Sequence, residues 1–269
     1  MPLISIKDAE DPRIAGYLNV RERDLAGRCD HFIVEGKVTL DILLQQSRFA
    51  PESLLLAESR LAALSQTLEA CDPAVPIYAA PQAVMDGIAG FPMHRGVLAL
   101  ARRGAPLRAA DLLEEIGEPA STLVVLCGLS NHDNVGAAFR NAAAFGADAV
   151  LLDAESCDPL YRKSIRVSAG AALWLPFARE GSAADLVHLV KARGYAAWAL
   201  TPRADAASIH EIEPPLKLAL ILGAEGPGLP DEIIAAGRPV RIPIAGGVDS
   251  LNVATAGAVA LSQVFGRRS

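Results

Sequence analysis

Three glycine-containing stretches carry side chains that could do chemistry. They read GLSNHDNVG (128–136), GAEGPGLP (223–230) and AGGVDSLN (245–252). Glycine turns that follow buried strands often bind phosphate through backbone amides, and phosphate loops commonly add a lysine. The second stretch has Glu225 and no lysine. Because a carboxylate repels phosphate, this stretch favours a nucleoside with a neutral or cationic tail over a nucleotide.

The second half of the chain predicts the elements that position these stretches. Strands are predicted at 122–128, 148–153, 171–177, 195–200, 216–222 and 239–244. Helices are predicted at 134–146, 158–170, 182–194, 230–237 and 250–265. This alternation indicates an α/β fold with an open, mostly parallel sheet and helices on both faces. Ligands bind such sheets beyond the carboxyl ends of the strands, where the three stretches lie.

Polar residues near the helix starts have two interpretations. Asp133 or Asn134 could cap the helix at 134–146. Ser250 is predicted to cap the last helix, which leaves Asn252 without a capping role. Arg140 lies among Ala, Phe, Val and Gly, so it either extends to solvent or projects into a pocket.

Composition bounds the class of protein. The chain has 269 residues and a formal net charge of −6, which argues mildly against a nucleic-acid partner. We expect an N-terminal α/β domain at 1–104, a linker at 105–120 rich in Pro, Gly and charge, and a second domain at 121–269. No apolar run reaches the length of a membrane span, and no signal peptide or metal-ligand cluster is recognised. A cytoplasmic protein without a metal or a membrane partner is therefore expected.

Three ordered motifs resemble the SpoU/TrmH family of RNA ribose 2'-O-methyltransferases, within the SPOUT superfamily. They are DNVGAAFRNAAAFGADAVLL, LILGAEGPGLP and IPIAGGVDSLNVATAGAVAL. The segment IRVSAGAALWLPF also resembles this family, and the resemblance runs from Ser121 to about Phe265. It implies S-adenosylmethionine as cofactor, a trefoil knot, a homodimer and structured RNA as substrate, with rRNA favoured over tRNA.

The resemblance also implies site residues. The implied catalytic residues are Asn134, Arg140, Glu225, Ser250 and Asn252. The implied cofactor-binding residues are Leu222, Gly223, Gly226, Ile242, Leu251 and Asn252. Glu225 would orient Arg140 or Asn134, or complement the sulfonium.

The N-terminal half resembles the small α/β sandwich with which several SpoU members capture RNA. The arginines and lysine expected to contact RNA are Arg21, Arg23, Arg28, Arg162, Lys163 and Arg166. Aromatic residues make up 5% of the chain, so contacts to RNA shape and backbone are favoured over base stacking.

Three other functions fit less well. A catalytically inactive RNA-binding module on the same fold is the main alternative, and it predicts no methyl transfer. A dinucleotide enzyme lacks its GxGxxG fingerprint, and a serine hydrolase using Ser250 lacks a GxSxG elbow.

Overall fold

The computed structural model describes residues 3–18, 30–89, 93, 95–116 and 119–268. Contacts divide the chain into two compact units. The first contains Met1–Ala105 and Leu160–Trp174, and the second contains Pro106–Pro159 and Leu175–Ser269. The segment Leu160–Trp174 falls inside the predicted 121–269 domain, yet it packs with the first unit. The domain limits given above stay a prediction.

The first unit is a mixed sheet with helices on both faces. Its strands are β1 (Leu3–Ser5), β2 (His31–Glu35), β3 (Pro51–Ala57), β4 (Ile77–Ala80) and β5 (Val97–Arg102). Its helices are α1 (Lys37–Gln45), α2 (Ser65–Glu69), α3 (Gln82–Ala89), α6 (Arg162–Val167) and α7 (Ala171–Trp174), with 3-10 turns at Pro12–Tyr17, Glu58–Arg60 and Ala62–Leu64. Over the described residues, the strand order is β1-β4-β3-β5-β2, and β5 runs antiparallel to both neighbours.

A buried ion pair holds α6 against β2. Arg162 donates to a carboxylate oxygen of Glu35 at 2.5 Å, and their side chains are only 9% and 7% exposed. Arg166 approaches the same carboxylate at 3.8 Å. The attraction between these two charges offsets the cost of removing each from water, whereas one of them buried alone would be strongly destabilising.

The second unit contains a parallel sheet. Its strands are β6 (Ser121–Cys127), β7 (Ala149–Leu152), β8 (Phe177–Arg179), β9 (Ala196–Leu200), β10 (Ala207–Ser208), β11 (Lys217–Gly223) and β12 (Arg238–Arg241). Its helices are α4 (Ala109–Glu115), α5 (His132–Ala144), α8 (Ala183–Ala192), α9 (Asp231–Ala236) and α10 (Val253–Arg268). The order over the described residues is β10-β12-β9-β11-β6-β7-β8, and every pairing is parallel.

Both faces of this sheet are covered, as the continuous apolar strands predict. Leu123 and Val125 of β6 pack with α4, α8 and α9 on one face. On the other face, α10 packs on α5 and approaches β11, where Leu222 lies beside Gly257. The predicted parallel sheet with helices on both faces is therefore confirmed. Across the described ranges, no helix has the length and apolarity needed to cross a bilayer.

Two predicted strands are wrong in part. The run predicted as a strand at 171–177 forms α7, and β8 begins only at Phe177. Ala169 and Gly170 have φ values of 52° and 87°, which turn the chain into this short helix. Short buried apolar runs do not distinguish strand from helix by periodicity. The last strand ends at Arg241, before Pro243, which has no amide hydrogen for a sheet.

Removal of one partner of the Glu35–Arg162 pair should destabilise the first unit. Glu35→Gln takes away the carboxylate that faces the buried Arg162, so we expect a loss of about 3–5 kcal/mol in the free energy of unfolding. Urea unfolding followed by fluorescence in a Trp198→Phe background measures this, because Trp174 then reports on the same unit.

The control is Glu52→Gln, which breaks the more exposed Arg102–Glu52 pair in the same unit, whose side chains are 68% and 34% exposed. Exposed pairs contribute about 0–1 kcal/mol. Equal, small losses in the two variants would contradict a structural role for the buried pair.

Candidate active site

A pocket of about 470 Å³ lies at the carboxyl ends of β9, β11 and β12. Its walls are Leu200–Arg203, Leu222–Leu229 and Ser250–Val253, with further side chains from α9, α10 and the segment after β12. This is the edge at which parallel α/β sheets bind ligands. The volume is within the usual range for small-molecule sites, about 300–1,000 Å³.

The glycines of the second stretch build a tight turn. A Cβ on Gly223 would lie 2.5 Å from the backbone of Gly228 and Leu229, so no side chain fits there. Gly226 has a φ of 85°, a conformation that favours glycine. The space above Gly223 is thus occupied by the returning chain, and the glycine there serves the turn itself rather than ligand access.

Asn252 joins all three stretches. Its Oδ1 accepts hydrogen bonds from the backbone N–H groups of Ala254 and Thr255 at 3.0 and 3.2 Å. Its Nδ2 donates to Oδ1 of Asn134 at 3.0 Å and to Oε1 of Glu225 at 2.8 Å. The amide orientation is fixed, because only the oxygen can accept from the helix N–H groups.

The capping prediction for the last helix is therefore wrong. Asn252 caps α10, and Ser250 lies exposed on the pocket wall. A cap must sit directly before the first turn, and α10 begins at Val253.

The start of α5 also differs from the prediction. Asn131 caps the helix by accepting from the backbone of Asp133 at 2.9 Å, so neither Asp133 nor Asn134 is the cap. The predicted end at Gly146 is confirmed by its φ of 65° and the bond from Ala147 to the Ala142 carbonyl. Asn134 therefore does not cap α5. It is buried, and its side-chain oxygen accepts a hydrogen bond from Asn252.

Asp153, after β7, braces the loop that precedes α5. Its carboxylate accepts from the backbone of Gly128 at 2.8 Å and from both the backbone and hydroxyl of Ser156. Ser156 in turn accepts from the backbone of Leu129 at 3.0 Å. Burial, with a smaller effect of the Asp153 charge, raises the pKa of the nearby Cys127 thiol to about 12, so this thiol stays protonated.

The predicted site residues fall into two groups. All six predicted cofactor residues line the pocket, and so do Glu225 and Ser250. Asn134 is connected to the pocket through Asn252. Arg140 is exposed on α5 and does not line the pocket.

The residues predicted to contact RNA differ in where they lie. Arg21, Arg23 and Arg28 lie outside the described residues. Arg162 is buried against Glu35, which corrects its assignment to an RNA-binding surface. Lys163 and Arg166 are half-buried on α6.

Sequence reasoning missed several residues around the pocket. The loop after β9 supplies Thr201 and Arg203, and α9 supplies Asp231. The position of this loop at a strand end was the signal that could have revealed it. Asn141 was also missed, and its Nδ2 donates to the Ala254 carbonyl at 2.8 Å, joining α5 to α10. Within the described ranges, no three His, Cys, Asp or Glu side chains gather as a metal site requires.

Replacement of Asn252 by Asp should separate its capping and bridging roles. The Asn252→Asp side chain keeps the capping oxygen, loses both donated bonds and places a carboxylate against Glu225. We expect a loss of about 1–2 kcal/mol at pH 7.5. The repulsion requires both carboxylates to be charged, so the penalty is present at pH 7.5 and shrinks as the solution is acidified toward pH 5. Thermal unfolding across this pH range measures it.

Asn252→Ala is the matched control, because it loses the cap and both donated bonds without adding charge. Its loss of about 1–3 kcal/mol should not change between pH 5 and 7.5. Adding Glu225→Gln to the Asp variant should restore a flat pH profile. A flat profile in the Asp variant itself would contradict the contact with Glu225.

Comparison with known proteins connects this geometry to a family. The model of the SpoU rRNA Methylase family matches residues 121–262. An uncharacterised tRNA/rRNA methyltransferase of Mycobacterium bovis is 38% identical over 261 residues, covering 94% of this chain and 88% of that protein. The 23S rRNA (guanosine-2'-O-)-methyltransferase RlmB of Bordetella pertussis is 31% identical, covering 68% of this chain and 75% of that protein.

Solved structures share the fold. The crystal structure of an RNA 2'-O ribose methyltransferase superposes with a TM-score of 0.80 at 27% identity, covering 98% of this chain and 99% of that one. The SpoU methyltransferase AviRb of Streptomyces viridochromogenes, in complex with AdoMet, superposes with a TM-score of 0.80 at 20% identity, covering 96% and 99%. The family match and the M. bovis relative show that the chain belongs to the SpoU rRNA methylase family of RNA methyltransferases.

Proposed function

We propose that the protein transfers a methyl group from S-adenosylmethionine to a ribose 2'-hydroxyl of a structured RNA in the cytoplasm. The observation that carries this proposal is the Asn252 side chain, which joins Asn134 and Glu225 at the edge of a nucleoside-sized pocket. The names of the RlmB relative and of the solved ribose methyltransferase support 2'-hydroxyl chemistry. An rRNA substrate is favoured over tRNA by the name of the RlmB relative.

The pocket fits this cofactor chemically. Apolar side chains such as Leu222, Leu229 and Ile242 can contact an adenosine, and Glu225 supplies a negative charge beside them. A nucleotide phosphate would meet that carboxylate and, among the described lining residues, a single cation, Arg203. When bound, the cofactor supplies a sulfonium-activated methyl group. Structural neighbours that carry AdoMet are consistent with this ligand.

Arg140 is proposed to act on the hydroxyl rather than on the cofactor. Its guanidinium is exposed and away from the pocket lining, which suits contact with RNA. An arginine side chain stays protonated at neutral pH, so it is a poor general base. It instead holds the hydroxyl or a neighbouring phosphate and stabilises the alkoxide as the proton leaves to phosphate or water.

Asn134 and Glu225 complete the polar side of the site. Because the Asn134 oxygen accepts from Asn252, its amide nitrogen remains able to donate to a substrate oxygen. Glu225 fixes the Asn252 amide and keeps a negative charge near the position of a sulfonium. Cation and alkoxide lose their charges together in the reaction, and a preorganised site of this kind favours that change.

We also propose a trefoil knot and a homodimer. Membership in the family supports the knot, and the segment from Ile242 to Asn252 leads from β12 to α10, which packs on α5 and β11. Phe265 on α10 is 49% exposed, and Arg140 on α5 is exposed as well. We propose that a twofold pairing covers Phe265 and that Arg140 completes the partner's pocket.

Arg140→Ala should abolish methyl transfer while cofactor affinity stays within a few-fold. Removal of one charge-stabilising group typically lowers the rate by about 100-fold or more. The assay incubates wild type and variant with radiolabelled S-adenosylmethionine and separate pools of unmodified rRNA and tRNA, then maps the labelled ribose. Arg193→Ala, which removes a partly exposed arginine just after α8, is the control for general charge effects.

Wild type that labels neither pool would contradict the enzyme and favour the inactive RNA-binding module. Label on a base would contradict the 2'-hydroxyl assignment. Equal loss of turnover and cofactor binding in the Arg140 variant would move Arg140 from chemistry to cofactor binding.

Mixing two variants tests whether Arg140 completes the partner's site. Asn252→Asp is expected to be inactive, as Arg140→Ala is, because it breaks the contacts to Asn134 and Glu225. Arg140→Ala and Asn252→Asp subunits are unfolded and refolded together in equal amounts. Random pairing makes about half of the dimers mixed, and each mixed dimer has one intact site of two, so about a quarter of wild-type activity is expected. No recovery in the refolded mixture, with subunit exchange verified by differently tagged chains, would place Arg140 in its own subunit's site.

A further inference from the structure

The charged side chains of the pocket are few and unevenly placed. Among the described residues that line it, only Arg203 is cationic, and only Glu225 and Asp231 are acidic. Arg203 donates to the Asp231 carboxylate, so the loop after β9 is joined to the start of α9. Both side chains are largely open to solvent, at 44% and 89% exposed. An exposed pair of this kind adds little to stability, so both side chains are available to a ligand at the pocket edge.

The proposed cofactor has an end that requires such a pair. This step rests on the proposed function. At neutral pH, S-adenosylmethionine carries a carboxylate and an ammonium on one α-carbon, and both are strongly hydrated. A binding site retains these charges only where it offers countercharges or open solvent. The apolar wall of the pocket offers neither, so the amino-acid end belongs at the exposed edge.

The two acids have different partners. Glu225 accepts from Asn252 and is held toward the stretch that contains Asn134. Asp231 follows the glycine turn at the start of α9, and it pairs with Arg203. The Asp231 side chain is 89% exposed and its partner Arg203 lies on the same pocket edge, so Asp231 is the acid placed to face an ammonium there. Among the described lining side chains, Arg203 is then the one that can bind a carboxylate with charge-assisted hydrogen bonds.

We propose that Arg203 and Asp231 form the binding site for the amino-acid end of the cofactor. Arg203 binds the α-carboxylate, and Asp231 binds the α-ammonium. In the unliganded protein the two side chains form an ion pair with each other. When the zwitterion binds, Arg203 pairs with its carboxylate and Asp231 pairs with its ammonium. The site therefore distinguishes adenosine derivatives that carry the amino-acid end from those that lack it.

Two ligands separate this site from the adenosine pocket. S-adenosylhomocysteine has the amino-acid end, whereas 5'-methylthioadenosine keeps the adenosine and thioether and lacks it. Isothermal titration calorimetry of the full chain gives Kd for both ligands in wild type, Arg203→Ala and Asp231→Asn. Arg193→Ala is the matched control, because Arg193 forms a comparable exposed pair with Glu114 outside the pocket.

Arg203→Ala should weaken S-adenosylhomocysteine about tenfold or more and change methylthioadenosine by no more than about twofold. Asp231→Asn should weaken S-adenosylhomocysteine in the same selective way, because it removes the charge that faces the ammonium. The Arg193 control should bind both ligands as wild type does. Thermal unfolding of each variant verifies that the pocket is folded.

Equal weakening of the two ligands in Arg203→Ala would overturn the inference, since Arg203 would then serve the adenosine or the loop. No change for either ligand would also overturn it. Those results leave the proposed function intact, because the wild type still binds both ligands. A folded wild type that binds neither ligand would overturn the proposed cofactor and this inference together.

Discussion

The site depends on the two ends of one amide side chain. The N-terminus of α10 requires an acceptor, so Asn252 turns its oxygen toward Ala254 and Thr255. Its nitrogen is thereby forced outward, where Asn134 and Glu225 are the acceptors. Asp would supply the oxygen without the donor, and Ala would supply neither. A single residue thus begins a helix and ties three separate loops together.

The other elements of the second unit fix the positions of these loops. Parallel strands β9, β11 and β12 end at one edge, and the tight turn at Gly223 folds directly over the end of β11. Asp153 braces the loop before α5, and Asn141 joins α5 to the first turn of α10. Each brace uses a buried or half-buried polar group that is satisfied within the fold, which is how polar groups remain inside proteins.

The sequence predicted the parallel sheet, because continuous apolar strands leave strong local patterns. The residues of the pocket wall were predicted from the resemblance of three motifs to a known family. It did not predict the cap of α10, since Ser250 and Asn252 are both good caps and the helix start decides between them. Nor could it predict the burial of Arg162, whose partner Glu35 lies 127 positions away in the chain. Long-range pairs leave no periodic signal, and the same holds for Arg203 with Asp231.

The most direct test of this account is a crystal structure with S-adenosylhomocysteine bound. We predict the adenosine between the glycine turn at Gly223–Leu229 and the segment that leads to Leu251, with the Asn252 amide still bonded to Asn134 and Glu225. A ligand bound elsewhere, or a rotated Asn252 that releases both partners, would contradict the central role given to this side chain.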